Sequence, residues 1–178
     1  MDLVLETKRL LLRPMEIEDA EALFAMDSNP NVHLYLGNEP LTDIEQCYDY
    51  IKSIQNQYIQ NGIGRFAMVI KDTNEVIGWA GLKFITKEEN GRTNFYDIGY
   101  RLQEKHWRKG YALEAATTWL DHAFNKMKIP TVYASAHVDN LGSNTILQKI
   151  GLHLKETYLH HGIPCYWYEL EIIKIQLN

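Results

Sequence analysis

A strand that turns through a basic, glycine-centred loop directly into a helix has few folds open to it. This chain carries such a turn at its centre. Phe95–Leu102 (FYDIGYRL) is strand-like, His106-Trp107-Arg108-Lys109-Gly110 follows, and a helix-like run extends from Tyr111 to about Lys126. The turn leaves a row of unpaired backbone N–H groups at the positive end of a helix dipole, a setting suited to phosphate oxygens. Gly110 removes a side chain where backbone and ligand must approach, and Ala112 keeps the next turn slim. Arg108 and Lys109 add positive charge beside it. A glycine and basic residues also precede helices in ordinary solvated loops, so the turn gains its meaning from the rest of the chain.

The surrounding elements read clearly. Residues 9–15 are β-competent and close at Pro14; residues 17–24 form a helix with Ile17, Ala20, Leu23 and Phe24 on one face, and Asn29-Pro30 breaks it. Thr42-Asp43-Ile44-Glu45 reads as a capping box. Behind it Ile44, Cys47, Tyr48, Ile51, Ile54 and Tyr58 follow the helical period until Asn61-Gly62. Strands at residues 65–70 and 76–84 join through Asp72-Thr73-Asn74-Glu75, and Glu89-Asn90-Gly91-Arg92 turns into the central strand. Residues 131–138 predict a strand, residues 140–150 a short helix stopped by Gly151, and residues 152–159 and 166–175 a closing hairpin through His161-Gly162. The expected fold is α+β, or mixed α/β, around one sheet, with residues 1–178 as a single domain. The crossover helix should set the strand at Thr131 parallel to the one at Phe95, leaving a ligand cleft at their ends.

A chain of 178 residues can bury a core without disulfides or metal. It has 23 acidic and 18 basic side chains, a formal charge of −5, which argues mildly against general nucleic-acid binding. No apolar run approaches the ~20 residues of a membrane span, and the acidic N-terminus does not read as a signal peptide. Cys47 and Cys165 read as reduced thiols, Cys47 in a helix core. The seven histidines fall in no metal-ligand spacing, and His160-His161 would point to opposite faces if that segment is a strand. A cytoplasmic protein with no metal, nucleic-acid or membrane partner is expected.

The order of elements, with R-K-G-Y-A at the strand-to-helix turn and D-N-L-G-S-N-T-I-L-Q-K-I-G-L behind it, resembles the GNAT superfamily of acyl-CoA-dependent N-acyltransferases. The opening T-K-R-L-L-L-R-P and the D-I-G-Y-R-L strand resemble its Rim-type ribosomal-protein N-terminal acetyltransferase branch. The resemblance implies a mostly antiparallel sheet with one parallel pair splayed around acetyl-CoA as cosubstrate. It implies that the backbone of Arg108, Lys109, Gly110, Tyr111, Ala112 and Leu113 holds the pyrophosphate, and that the strand at Tyr100 and Leu102 pairs with the pantetheine arm. Asn140 falls at the position whose amide bonds that arm, and Ser143 near the thioester sulfur. Trp107 stands where the superfamily commonly has Gln or Arg. Leu147 and Ser135 stand where some members carry an acid Tyr and a base Glu, so neither of those roles carries over.

Amide formation needs a polarised thioester carbonyl, a neutral amine and a stabilised thiolate. Strand N–H groups near Tyr100 and Leu102 can serve the first need. Ser143 has the spacing to serve the thiolate, or it simply lines its helix. Asp97 is the acid on the strand approaching the cleft and the candidate base, or a salt-bridged strand carboxylate. The aromatic end (Tyr158, Tyr166, Trp167, Tyr168) reads chiefly as sheet core, and Tyr35, Leu36 and Gly37 form a candidate acceptor loop. The acceptor is expected to be an amine of low pKa such as a protein N-terminus. A small amine (polyamine or antibiotic) and a non-catalytic acyl-CoA-binding module are the alternatives, and a homodimer stays open.

Overall fold

The computed structural model describes residues 3–172. The N-terminal strands β1 (Leu5–Glu6) and β2 (Leu10–Arg13) form a short ribbon. A 3-10 turn at Ile17–Asp19 then leads into α1 (Ala20–Asp27), and α2 (Pro30–His33) and α3 (Glu45–Asn61) follow. The strands β3 (Arg65–Ile70), β4 (Glu75–Ile85) and β5 (Phe95–Leu102) make an antiparallel meander. After it come α4 (Tyr111–Asp121), β6 (Thr131–His137), α5 (Leu141–Lys149), β7 (His153–His160) and β8 (Ile163–Glu171).

The eight strands lie in the order β1-β2-β3-β4-β5-β6-β8-β7, and β5–β6 is the parallel pair. The helix between those strands was expected to enforce that direction, and it does. Its small residues Ala112, Ala115 and Ala116 are buried and let α4 lie close on the sheet, with Trp119 fully buried beneath. Trp119 meets Phe66 of β3 edge-on at 4.8 Å. Beyond Asp121 the helix widens to an i→i+5 turn over His122–Lys126, where the Met127 N–H reaches the His122 carbonyl at 3.0 Å.

Alternation along β5 gives the sheet two working faces. Even-numbered Tyr100 reaches α5, whereas odd-numbered Arg101 reaches Asp27 of α1. In α3 the buried stripe is Cys47, Ile51, Ile54 and Tyr58, with Ile44 and Tyr48 packed at its margin.

Four sequence expectations shift in detail. The cap of α3 is displaced by one residue: Asp43 Oδ1 accepts the Glu45 N–H at 3.0 Å, and Gln46 Oε1 reaches back to the N–H groups of Thr42 and Asp43 at 3.1 Å. The side chain that folds back onto the preceding N–H groups is that of Gln46, so the Asp43–Gln46 frame takes the place of Thr42–Glu45. In the first helix Ile17 is exposed, because the chain enters by a 3-10 turn. His161 lies in the turn between β7 and β8 at φ 49°, so the two histidine rings meet at 4.5 Å instead of facing apart. The last strand begins at Ile163 and runs to Glu171; the expectation for residues 173–175 lies outside the described residues.

Candidate active site

The parallel pair is short. Register is kept only at Tyr96↔Val132 and Asp97↔Tyr133, and beyond these residues the strands separate. The edge of β5 from Ile98 onward therefore presents backbone N–H and C=O groups to a gap instead of to a neighbour. An extended chain bearing amides can pair with such an edge.

At the end of the gap stands the start of α4. Arg108 and Gly110 both have positive φ, 58° and 83°. The first backbone bond of the helix runs from the Glu114 N–H to the Gly110 carbonyl at 3.1 Å. The N–H groups of residues 108–113 precede it and point out of the helix end, a concave arrangement that binds anions. Trp107 closes the turn by donating its indole N–H to the Leu102 carbonyl at 2.9 Å, so a residue other than Gln or Arg is accommodated there.

The loop is braced by a residue that its local sequence does not reveal. Arg9 donates its Nε to Glu114 Oε2 at 2.7 Å and its Nη1 to the Lys109 carbonyl at 2.8 Å, and stacks 4.4 Å over the Tyr111 ring. A Cβ at residue 110 would meet Arg9 Nη2 at 3.3 Å, a second reason for glycine there. Burial would raise the Glu114 carboxyl; the Thr7 hydroxyl, the Arg9 N–H and its guanidinium outweigh it and hold the group below the ordinary carboxylate range. Arg9 and Glu114 lie far apart in the chain, so only the folded ribbon brings them together.

Across the gap, Asn140 caps α5. Its Oδ1 accepts the Ser143 N–H at 3.1 Å, which leaves the amide nitrogen to donate elsewhere. The Tyr100 hydroxyl donates to the Ser143 carbonyl at 3.1 Å and lies 3.2 Å from the Ser143 hydroxyl. Burial pushes the Tyr100 phenol well up, so it stays protonated. Two hydroxyls thus meet at the candidate acid position, and the Tyr100 side chain is one that sequence reasoning had credited only with its backbone.

The opposite face carries paired charges. Asp97 is ion-paired with Arg65 Nη2, while Arg65 Nη1 donates to the Asp97 carbonyl at 2.9 Å. Gly99 makes room for this guanidinium, since a Cβ there would sit 2.8 Å from Arg65 Nη2. Burial raises the Asp97 carboxyl against the pull of Arg65. Arg101 binds Asp27 at 2.8 Å, with His33 3.4 Å from the same oxygen. The loop after α2 closes this face: the Tyr35 ring lies 5.3 Å from His137 at the end of β6. Trp167 and Tyr168 are core residues, as expected, while Tyr158 and Tyr166 are only partly buried. Among the described residues no helix is long and apolar enough to cross a membrane, and no group of three or more His, Cys, Asp or Glu could hold a metal ion.

Residues 9–153 match the family model of the acetyltransferase (GNAT) domain. Over 146 residues the chain is 37% identical to "Uncharacterized N-acetyltransferase p20" of Bacillus licheniformis, covering 82% of this chain and 80% of that protein. The fold is similar to a GNAT-family acetyltransferase from Bacillus anthracis, with TM-score 0.79 and 23% identity, over 95% of this chain and 98% of the other. It is also similar to RimL, a ribosomal L7/L12 alpha-N-protein acetyltransferase solved in complex with coenzyme A, with TM-score 0.73 and 16% identity, over 96% and 98% of the two chains. The gap between β5 and β6, the anion-binding helix start and the matched 9–153 span agree on one assignment: this chain belongs to the GNAT family of N-acetyltransferases.

Proposed function

We propose that the protein transfers an acetyl group from acetyl-CoA directly to a primary amine, and that the acceptor is a protein N-terminal α-amine. The observation that carries the transfer is the gap between β5 and β6, with an anion-binding helix start at one side and the Ser143–Tyr100 hydroxyl pair at the other. The residues fit acetyl-CoA. The N–H groups of Arg108, Lys109, Gly110, Tyr111, Ala112 and Leu113 would take the pyrophosphate, and the β5 edge at Tyr100 and Leu102 would pair with the pantetheine amides. The amide nitrogen of Asn140 would hold the same arm. Ser143, backed by Tyr100, would give a proton to the departing thiolate, and Asp97 would hold Arg65 in place beneath the gap.

Three considerations support the α-amine. Its pKa is ~7.7–8.0, so roughly a tenth is already neutral near pH 7, against far below one per cent for lysine at ~10.4. The acids Asp27 and Asp97 are each matched by an arginine, so neither offers net charge to a polycation. The fold likeness to RimL, named for α-amine acetylation of a protein, points the same way. The test is an acetyl-transfer assay on free N-terminal peptides, spermidine and an aminoglycoside. Preference for the peptides is expected. Preference for spermidine or the aminoglycoside would replace the acceptor, and binding of acetyl-CoA without transfer to any amine would mark a non-catalytic module.

A further inference from the structure

Ser135 stands on β6 where some family members carry a base glutamate, and a serine cannot serve as one at neutral pH. The fold brings a carboxylate to that place from another element. Between β4 and β5 the chain makes a tight turn at Asn90-Gly91, with φ 48° and 70°, closed by reciprocal backbone bonds between Glu89 and Arg92 at 2.9 and 3.0 Å. The turn holds Glu89 over the sheet face that carries Asp97, Ser135 and Tyr158. Glu89 Oε1 accepts the Tyr158 hydroxyl at 2.7 Å and lies 3.1 Å from His160 Nδ1. Ser135 neighbours the Tyr158 hydroxyl on this same side of the sheet. Ser135 is opposite Trp167, Tyr158 is opposite Cys165, and the Tyr158 ring packs 5.3 Å from Trp167, so these side chains share one face. Ser135 lies two residues past the last β5–β6 pair, where the strands have begun to separate.

We propose that Glu89 receives the proton of the acceptor amine, relayed through the hydroxyls of Ser135 and Tyr158. This rests on the reading of the protein as an acetyl-CoA-dependent N-acetyltransferase. As the amine nitrogen bonds to the thioester carbonyl carbon, its proton passes to Ser135 Oγ. Ser135 gives its own proton to Tyr158 Oη, and Tyr158 gives its own to Glu89 Oε1. The C–S bond breaks with its electron pair on sulfur, and that thiolate takes the Ser143 proton as a proton from solvent replaces it on Ser143 Oγ. Each hydroxyl of the relay gains one proton and loses one, so the net change is one proton on Glu89. Asp97 is less suited, because the Arg65 guanidinium holds its carboxylate directly. Glu89 meets a neutral phenol and a histidine.

The titratable groups facing Glu89 are Tyr158 and His160 on β7, Cys165 on β8 and Asp97 on β5, the last flanked by Arg65 and Lys83. Arg92, on the same turn, reaches Glu156 instead. The experiment measures coenzyme A release by the full chain from about pH 6 to 9, a span covering the amine and histidine pKa values. The acceptor is a peptide with a free α-amine, and a parallel arm uses water alone. Glu89→Gln should lower kcat/KM roughly a hundredfold to ten-thousandfold and displace the pH–rate profile upward, with acetyl-CoA affinity by calorimetry unchanged. Tyr158→Phe should do the same, and Glu89→Asp should recover part of the rate. A wild-type rate and profile in Glu89→Gln would overturn the inference, and a displaced profile in Asp97→Asn alone would move the role to Asp97. If the wild type releases coenzyme A only to water, the N-acetyltransfer reading falls. The Glu89→Gln comparison on hydrolysis then still decides the fate of Glu89.

Discussion

Asn140 does two jobs that one substitution can separate. Its carbonyl oxygen caps α5, and its amide nitrogen, free of that cap, is proposed to hold the cofactor arm. Asn140→Asp keeps the cap and removes the donor, so the KM for acetyl-CoA should rise with kcat and melting temperature nearly unchanged. A fall in kcat at normal KM would show that Asn140 acts on the reaction. For Ser143 the expectation is reversed. Ser143→Ala should lower kcat tenfold to a thousandfold, on the order expected for a proton donor to a good leaving group. Acetyl-CoA affinity should be kept, and steady-state kinetics over pH checks it. Glu114 is a stability residue. Its pKa is lowered in the folded state, so its contribution is fully present above the unfolded value of ~4.3 and is lost as pH falls through the folded value. Glu114→Gln should therefore cost about 2 kcal/mol near pH 7. Urea titrations of the two proteins should converge as the pH drops below ~4.

At the scale of elements, what was legible in the sequence was what a local pattern decides. β5 is legible with the bounds it has, because an eight-residue β-competent run sits between a turn and a basic loop. The start of α4 was equally local, since a glycine at positive φ must precede Tyr111. The cap of α3 lies one residue later than its sequence pattern suggests, because Thr42–Glu45 and Asp43–Gln46 both satisfy the pattern and only the folded backbone chooses between them. Asp43→Ala should thus cost ~1 kcal/mol of stability and Thr42→Ala only a few tenths; equal losses in thermal melts would restore the earlier frame. Arg9 bracing the loop, Tyr100 meeting Ser143, and Glu89 reaching Tyr158 were not legible. Each joins residues 43 to 105 positions apart, and nothing near either residue announces its partner.

For the whole molecule, the sheet is an antiparallel structure interrupted once. The single parallel pair cannot continue past Asp97↔Tyr133, and the gap gathers the helix start, the Asn140 cap and both hydroxyls around one ligand path. The claim that this gap binds acetyl-CoA is open to direct measurement through Gly110. An aspartate there is a favoured N-cap residue and tolerates positive φ better than most, so the fold should survive. Its carboxylate would stand where the pyrophosphate belongs. Calorimetric titration of acetyl-CoA into wild type and Gly110→Asp, with circular dichroism to verify folding, is the decisive comparison. One-to-one binding by the wild type and none by the folded variant is expected; equal affinity in the two proteins would contradict it.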